Sequence, residues 1–129
     1  MKEYDDGNLT AIGDYAFYGC TNLNRVNCSA TSIGKNAFYG CTNLNRVDCS
    51  ATVIGEDAFA GCSNLEILCL KNKLVCDLIG DPLADTKIAN DDGYIYVPES
   101  IMLSYMEDYS CWEKYKNKFR GLNELEVTK

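Results

Sequence analysis

No histidine occurs among the 129 residues of this chain. The commonest general base near neutral pH and the commonest nitrogen ligand for metals are therefore missing. Ser-His and Cys-His nucleophile pairs are excluded within the chain for the same reason. Also missing is any apolar run near the roughly 20 residues of a transmembrane helix. The opening stretch Met1-Lys-Glu-Tyr-Asp-Asp-Gly7 has no apolar leader segment, so no signal peptide or anchor is visible. Positive charge is scarce: 12 Lys and Arg face 19 Asp and Glu, a formal net charge of −7. An acidic chain without a dense basic patch suits neither nucleic acid nor anionic membrane surfaces. No nucleic-acid partner and no membrane insertion are expected. No cofactor motif is present, and no catalytic or metal-ligating residue can be named.

What is present is a folded composition, 47% hydrophobic and 11% aromatic. The length predicts a single domain over residues 1–129. Its organising stretch is Leu23-Asn-Arg-Val-Asn-Cys-Ser-Ala-Thr-Ser-Ile33. Leu23, Val26, Cys28 and Ile33, with Thr31 in the polar slot, fit the leucine-rich-repeat pattern L-x-x-L-x-L-x-x-(N/C)-x-L. The pattern returns 21 residues later as Leu44, Val47, Cys49, Thr52 and Ile54. A third set is Leu65, Leu68, Leu70, Lys73 and Val75. The fold class expected is an α/β leucine-rich-repeat solenoid of short parallel strands and single helical turns, with a 21-residue period and a C-terminal strand plus helix cap.

Three repeats are expected over residues 12–74, after a partial first turn at 1–11 and before a cap at 75–129. Within each unit, Leu-x-x-Val-x-Cys reads as a strand and Thr-x-Ile-Gly as a second extended segment. Residues 14–20, 35–41 and 56–62 read as one helical turn each, carrying Ala-Phe. Gly19, Gly40 and Gly61 close these turns, where positive φ costs glycine least. Residues one period apart should stack one strand spacing apart, about 4.8 Å. Phe17, Phe38 and Phe59 then form a buried aromatic column. Asn22, Asn43 and Asn64 form a polar column whose amides bond loop backbone from turn to turn.

Counting back from the first full repeat fits Thr10 and Ile12, but places Lys2, Asp5 and Gly7 where apolar residues belong. The N-terminal edge is therefore expected to need a cover, from further repeats or by self-association. An irregular strand at residues 2–6 that suffices alone is the alternative.

Beyond Leu74 the period fails. Leu74–Ile79 reads as a last strand, and Asn90-Asp-Asp-Gly93 as a turn rather than a calcium loop. Tyr94–Val97 reads as a strand, and Ser100 as a helix N-cap. Trp112, Tyr115 and Phe119 recur as the stripe of an amphipathic helix ended by Gly121.

The motif Ile-Gly-x-x-Ala-Phe-Tyr-Gly-Cys-Thr-Asn-Leu-x-x-Val over residues 9–70 resembles the BspA-like leucine-rich repeats of bacterial surface proteins. Ile95-Tyr-Val-Pro-Glu-Ser100, followed by Tyr105, Trp112 and Tyr115, resembles the module that closes the solenoid in that family. The resemblance implies a non-enzymatic interaction or adhesion module, at the cell surface or secreted. The other reading is a structural spacer in a phage tail or fibre-like assembly.

Eight cysteines stand among these repeats. Cys20, Cys41 and Cys62 form one column; Cys28 and Cys49 form another that continues as Leu70. A slot shared by Cys and Leu wants an apolar body, so buried thiols are expected. Cys69, at an outward strand position, is the candidate reactive thiol. Cys76 and Cys111 are candidates to meet at the cap. Asn8-Leu-Thr and Asn27-Cys-Ser are glycosylation sequons, the second on a strand. A recognition face follows from the outward strand positions: Asn24, Asn45 and Glu66; Arg25, Arg46 and Ile67; Asn27, Asp48 and Cys69. Its ligand, protein or glycan, is unspecified. The alternative is a solvated face of paired charges.

Overall fold

A computed structural model describes residues 3–6, 10–90, 92–107 and 111–127. The strands are β1 (Glu3–Asp6), β2 (Ala11–Ile12), β3 (Arg25–Cys28), β4 (Ser32–Ile33), β5 (Arg46–Cys49), β6 (Val53–Ile54), β7 (Ile67–Leu70), β8 (Asp77–Leu78), β9 (Tyr94–Val97) and β10 (Phe119–Gly121). They form two sheets. The longer has order β1-β3-β5-β7-β9-β10, the shorter β2-β4-β6-β8. All pairs are parallel, as in a coil whose successive turns stack. The leucine-rich-repeat solenoid expected from the period is the fold observed.

Registers match the period where the repeat is intact: Val26 lies beside Val47, and Ile33 beside Ile54. They slip at both ends. Tyr4, not Asp5, lies beside Val26, so the first coil is one residue longer and opens with a complete strand rather than a partial turn. After β7 the chain takes extra residues, and Leu78 rather than Val75 lies beside Ile54. Leu74 and Val75 are exposed in that longer loop.

The third side of each coil departs from the helical turn expected. Tyr15, Asn36 and Asp57 adopt φ of 60°, 55° and 57°, a left-handed conformation at non-glycine residues. Short turns flank them, such as Ala16 N–H to Gly13 O at 3.2 Å and Tyr18 N–H to Tyr15 O at 3.1 Å. The left-handed residues break any helical run and turn alternate N–H groups along the solenoid axis. Tyr15, Phe17 and Gly19 donate to the carbonyls of Lys35, Ala37 and Tyr39 at 2.9, 2.7 and 2.7 Å. Asn36, Phe38 and Gly40 donate to Glu56, Ala58 and Ala60 in the same way. This side is thus a third hydrogen-bonded ribbon.

The interior is filled by columns. Phe17 and Phe38 stack at 5.2 Å with planes 2° apart, and Phe38 and Phe59 at 5.3 Å and 4°. Asn43 and Asn64 donate from Nδ2 to the carbonyls of Thr21 and Thr42 at 2.6 and 2.7 Å, the structural role expected of that column. The Cys41 thiol donates to Phe17 O, and Cys62 to Phe38 O, at 3.1 and 3.0 Å.

The C-terminal region closes the stack differently from the sequence reading. Phe59 and Gly61 donate to Pro82 O and Ala84 O at 2.9 and 3.0 Å, so residues 81–85 supply a degenerate further turn. Leu83, fully buried, follows the phenylalanines there. Ser100 is not a helix cap. The 3-10 turn Glu99–Ile101 starts after Pro98, and α1 (Met102–Tyr105) after Ile101, neither with a side-chain cap bond. The stripe of Trp112, Tyr115 and Phe119 is not one helix. Glu113–Lys118 is 3-10, and Phe119 opens β10, beside Ile95. Phe119 buries its ring there while β10 covers the open edge of β9, a gain that continued helix would forgo. α2 (Leu122–Val127) follows, an element the sequence reading missed. Tyr105 OH accepts the Cys76 N–H at 2.8 Å, and Trp112 Nε1 donates to Cys76 O at 2.6 Å. The cap is thereby fastened to the coil by hydrogen bonds as well as packing. Asn8 of the first sequon lies outside the described residues, as does Asp91 of the Asn90–Gly93 turn.

Replacing Phe38 by alanine removes the middle ring of the column, and should cost about 3–5 kcal/mol. Phe17→Ala, at the half-buried end, should cost less. Urea unfolding of the two variants gives the order directly.

Candidate recognition face

The outward side of the longer sheet carries two columns, set by strand alternation. Glu3, Arg25, Arg46, Ile67 and Tyr94 make the first. The second runs Asn27, Asp48, Cys69, Tyr96 and Arg120. Asn24, Asn45 and Glu66 line the entry to the strands. There Asn24 O accepts the Asn45 N–H, and Asn45 O accepts those of Glu66 and Ile67. The structure therefore gathers every residue assigned to the face from the sequence.

Their environments differ sharply. Arg46 grips Asp48 through two bonds, Nε–Oδ1 at 2.7 Å and Nη2–Oδ2 at 3.0 Å. Lys71 stands 3.7 Å from the same carboxylate. Asp48 is only 4% exposed. Burial by itself would raise its pKa. The Arg46 hydrogen bonds and charge, aided by Lys71 and Arg25, outweigh burial and hold it below the usual range. Arg46 is raised, first by its bond to Asp48. This pair is engaged within the molecule. Arg25 is freer: Glu3 lies 3.9 Å away and both side chains are well exposed.

Cys69 is not the reactive thiol its outward position suggested. It is fully buried between Asp48 and Tyr96. Burial, with the Asp48 charge added, pushes its pKa up to about 12. The exposed thiol is Cys111, whose Sγ accepts the Leu78 N–H at 3.4 Å. None of the cysteines is in a disulfide, so Cys76 and Cys111 come together at the cap without a bond between them. Asn27 of the second sequon is half-buried in β3.

The sequence reading missed Tyr94, Tyr96, Lys71 and Arg120. The alternation Tyr94-Ile-Tyr-Val97 held the signal, but only if β9 joins this sheet, and the lost period hid that register. Tyr94 is 42% exposed, with the Arg120 guanidinium 4.3 Å from its ring centre. Glu66, Ile67, Asp92, Gly93, Tyr94 and Tyr96 enclose a depression of about 310 Å³. Among the described residues, no group of three or more Cys, Asp or Glu is placed to hold a metal ion. No helix among them is long and apolar enough to cross a membrane.

Residues 5–82 match the family model described as BspA type leucine-rich repeat region (6 copies). The chain belongs to the BspA-type leucine-rich-repeat family. The match stops short of β9, so the closing module is not part of it. Curated proteins return no match to the chain. Membership of the BspA type suggests a protein-interaction module on a fold that is generally non-catalytic, in a family typically associated with surfaces.

Two expectations follow for the thiols. Iodoacetamide at neutral pH should label Cys111 first and leave Cys69 and Cys49 untouched until unfolding, as read by peptide mass spectrometry. Unfolded thiols ionise near 9.0, whereas burial holds Cys49 and Cys69 near 12. Between those values the unfolded chain binds fewer protons than the folded one, so stability should fall as pH rises above about 9. Urea midpoints measured across pH 8 to about 10 check the sign.

Proposed function

We propose that this chain is a non-catalytic adhesion or protein-interaction module of a bacterial surface or secreted protein. Its binding surface is the outward side of β3, β5, β7 and β9. The observation that carries this reading is the alignment of Arg25, Ile67 and Tyr94 along one accessible column. Family membership supports it. A spacer role in a fibre-like assembly is the second reading. The internally satisfied Arg46–Asp48 pair favours it, because paired charges make a quiet surface. Self-association through the N-terminal edge belongs to the same proposal, since β1 ends the longer sheet.

The test is retention of purified extracellular-matrix proteins and glycans by the immobilised chain. It compares wild type with Arg25→Glu and with Ile67→Asp; Arg46 is left intact because its loss would strand Asp48. Each variant should weaken retention of a true ligand by about tenfold or more. Equal retention by all three removes the face. No retention of any ligand leaves the spacer reading.

A further inference from the structure

The depression at the C-terminal end of the outward face has a built wall. Gly93 packs on the backbone of Glu66, where an added Cβ would lie 2.5 Å from Glu66 O and 2.8 Å from Glu66 Cα. Tyr94 N–H bonds the same carbonyl at 2.8 Å. Only glycine permits this approach, so the loop is held close against β7. The result sets two carboxylate residues, Glu66 and Asp92, beside Ile67 and two tyrosines.

The surroundings show what such a place would accept. Tyr94 already takes a guanidinium, that of Arg120, 4.3 Å from its ring centre. Arg120 reaches it from β10, on one side of β9, whereas Glu66 and Ile67 line the depression from β7, on the other. The charged groups near this place, among the described residues, are Glu66, Asp92, Lys87, Arg120 and Arg46, with Glu124 near Tyr96. Arg46, beside Ile67, is already neutralised by its two bonds to Asp48. Lys87 is only a loose partner for Glu66, 3.9 Å away with both side chains exposed. Aromatic rings with carboxylates close by favour a cation with an aliphatic stem. An uncharged sugar could stack on a ring but would leave the charge of both acids unused. The chain's net charge of −7 attracts a basic partner as well.

We propose that this depression is a slot for one lysine or arginine side chain presented by a protein partner. The assignment rests on the outward face being the recognition surface. Ile67 takes the aliphatic stem, Tyr94 and Tyr96 flank it, and Glu66 and Asp92 meet the charged head.

An amide-shift titration of the isotope-labelled chain tests it, with acetyl-Gly-Lys-Gly-amide as probe. The norleucine analogue and chitotriose are the comparison probes. The lysine peptide should move the amides of Glu66, Gly93 and Tyr94 in a saturable way. The norleucine peptide should bind roughly tenfold more weakly. A Glu66→Gln/Asp92→Asn double variant should weaken the lysine peptide roughly fivefold at unchanged thermal midpoint. Equal binding of norleucine overturns the slot as a cation site. Chitotriose moving these amides while lysine does not makes it a sugar site and overturns the proposal. Lysine shifts that scatter over the acidic surface and persist in the double variant overturn it too. A silent lysine probe on a chain that still retains a matrix protein overturns the slot alone. Retention unaffected by Arg25→Glu and Ile67→Asp, with the probe still bound, overturns the wider reading of the face alone.

Discussion

Each coil of this molecule completes its backbone hydrogen bonding on the coil that follows. The two sheets do this with strand ladders, and the turn side does it with alternate N–H groups aimed along the axis. Buried N–H and C=O groups must be paired, so no coil is self-sufficient. This constraint dictates the shape of the interior. Equivalent side chains lie over one another, and the phenylalanines have no freedom to do anything but stack. It also dictates where side chains are forbidden. A Cβ on Gly55 would lie 2.7 Å from the backbone of Gly34 and Lys35, because the coils touch main chain to main chain there.

The same constraint explains the polar interior. Cysteine fills its columns as an apolar body, but its weak S–H donor also reaches a carbonyl of the preceding coil. Leucine can replace it in a strand column, as Leu70 follows Cys49. Burial takes Cys49 and Cys69 out of chemistry by raising their pKa. Asparagine does at the coil corners what thiols do inside, with a stronger donor and in contact with water. Closure follows as well. Once the repeat fails, Pro82 and Ala84 still offer carbonyls to Phe59 and Gly61, so the ribbon continues one turn past the strict repeat. Proline suits that place, since only its acceptor is used.

Where the period is strict, the sequence was enough. Spacing alone placed β3, β5 and β7, the phenylalanine and asparagine columns and the outward rows. It failed where tertiary context outweighs local preference. Asn36 and Asp57 are types that tolerate the left-handed region, but Tyr15 at the same position is not, and the type alone does not require that conformation; the demand comes from the neighbouring coil. Trp112, Tyr115 and Phe119 have helical spacing, yet Phe119 gains more by covering the β9 edge. Cys69 points outward as alternation requires, and is buried because the residues flanking it across the sheet close over it. Outward and exposed are different properties wherever long side chains share a sheet face.

That difference decides what the face can do. At its middle, Arg46 and Asp48 satisfy each other, and breaking them apart for a ligand would expose a buried carboxylate to an unpaired state. At its end, β9 extends the repeat columns with tyrosines that no repeat contributes. The surface therefore grades from charges already spent on one another to partly exposed tyrosines, one of them facing Arg120. Specific recognition needs groups whose best partner is outside the molecule. On the proposal made above, those groups lie where β7 meets β9. The strand that follows the last repeat is also the one that brings tyrosines to the outward face.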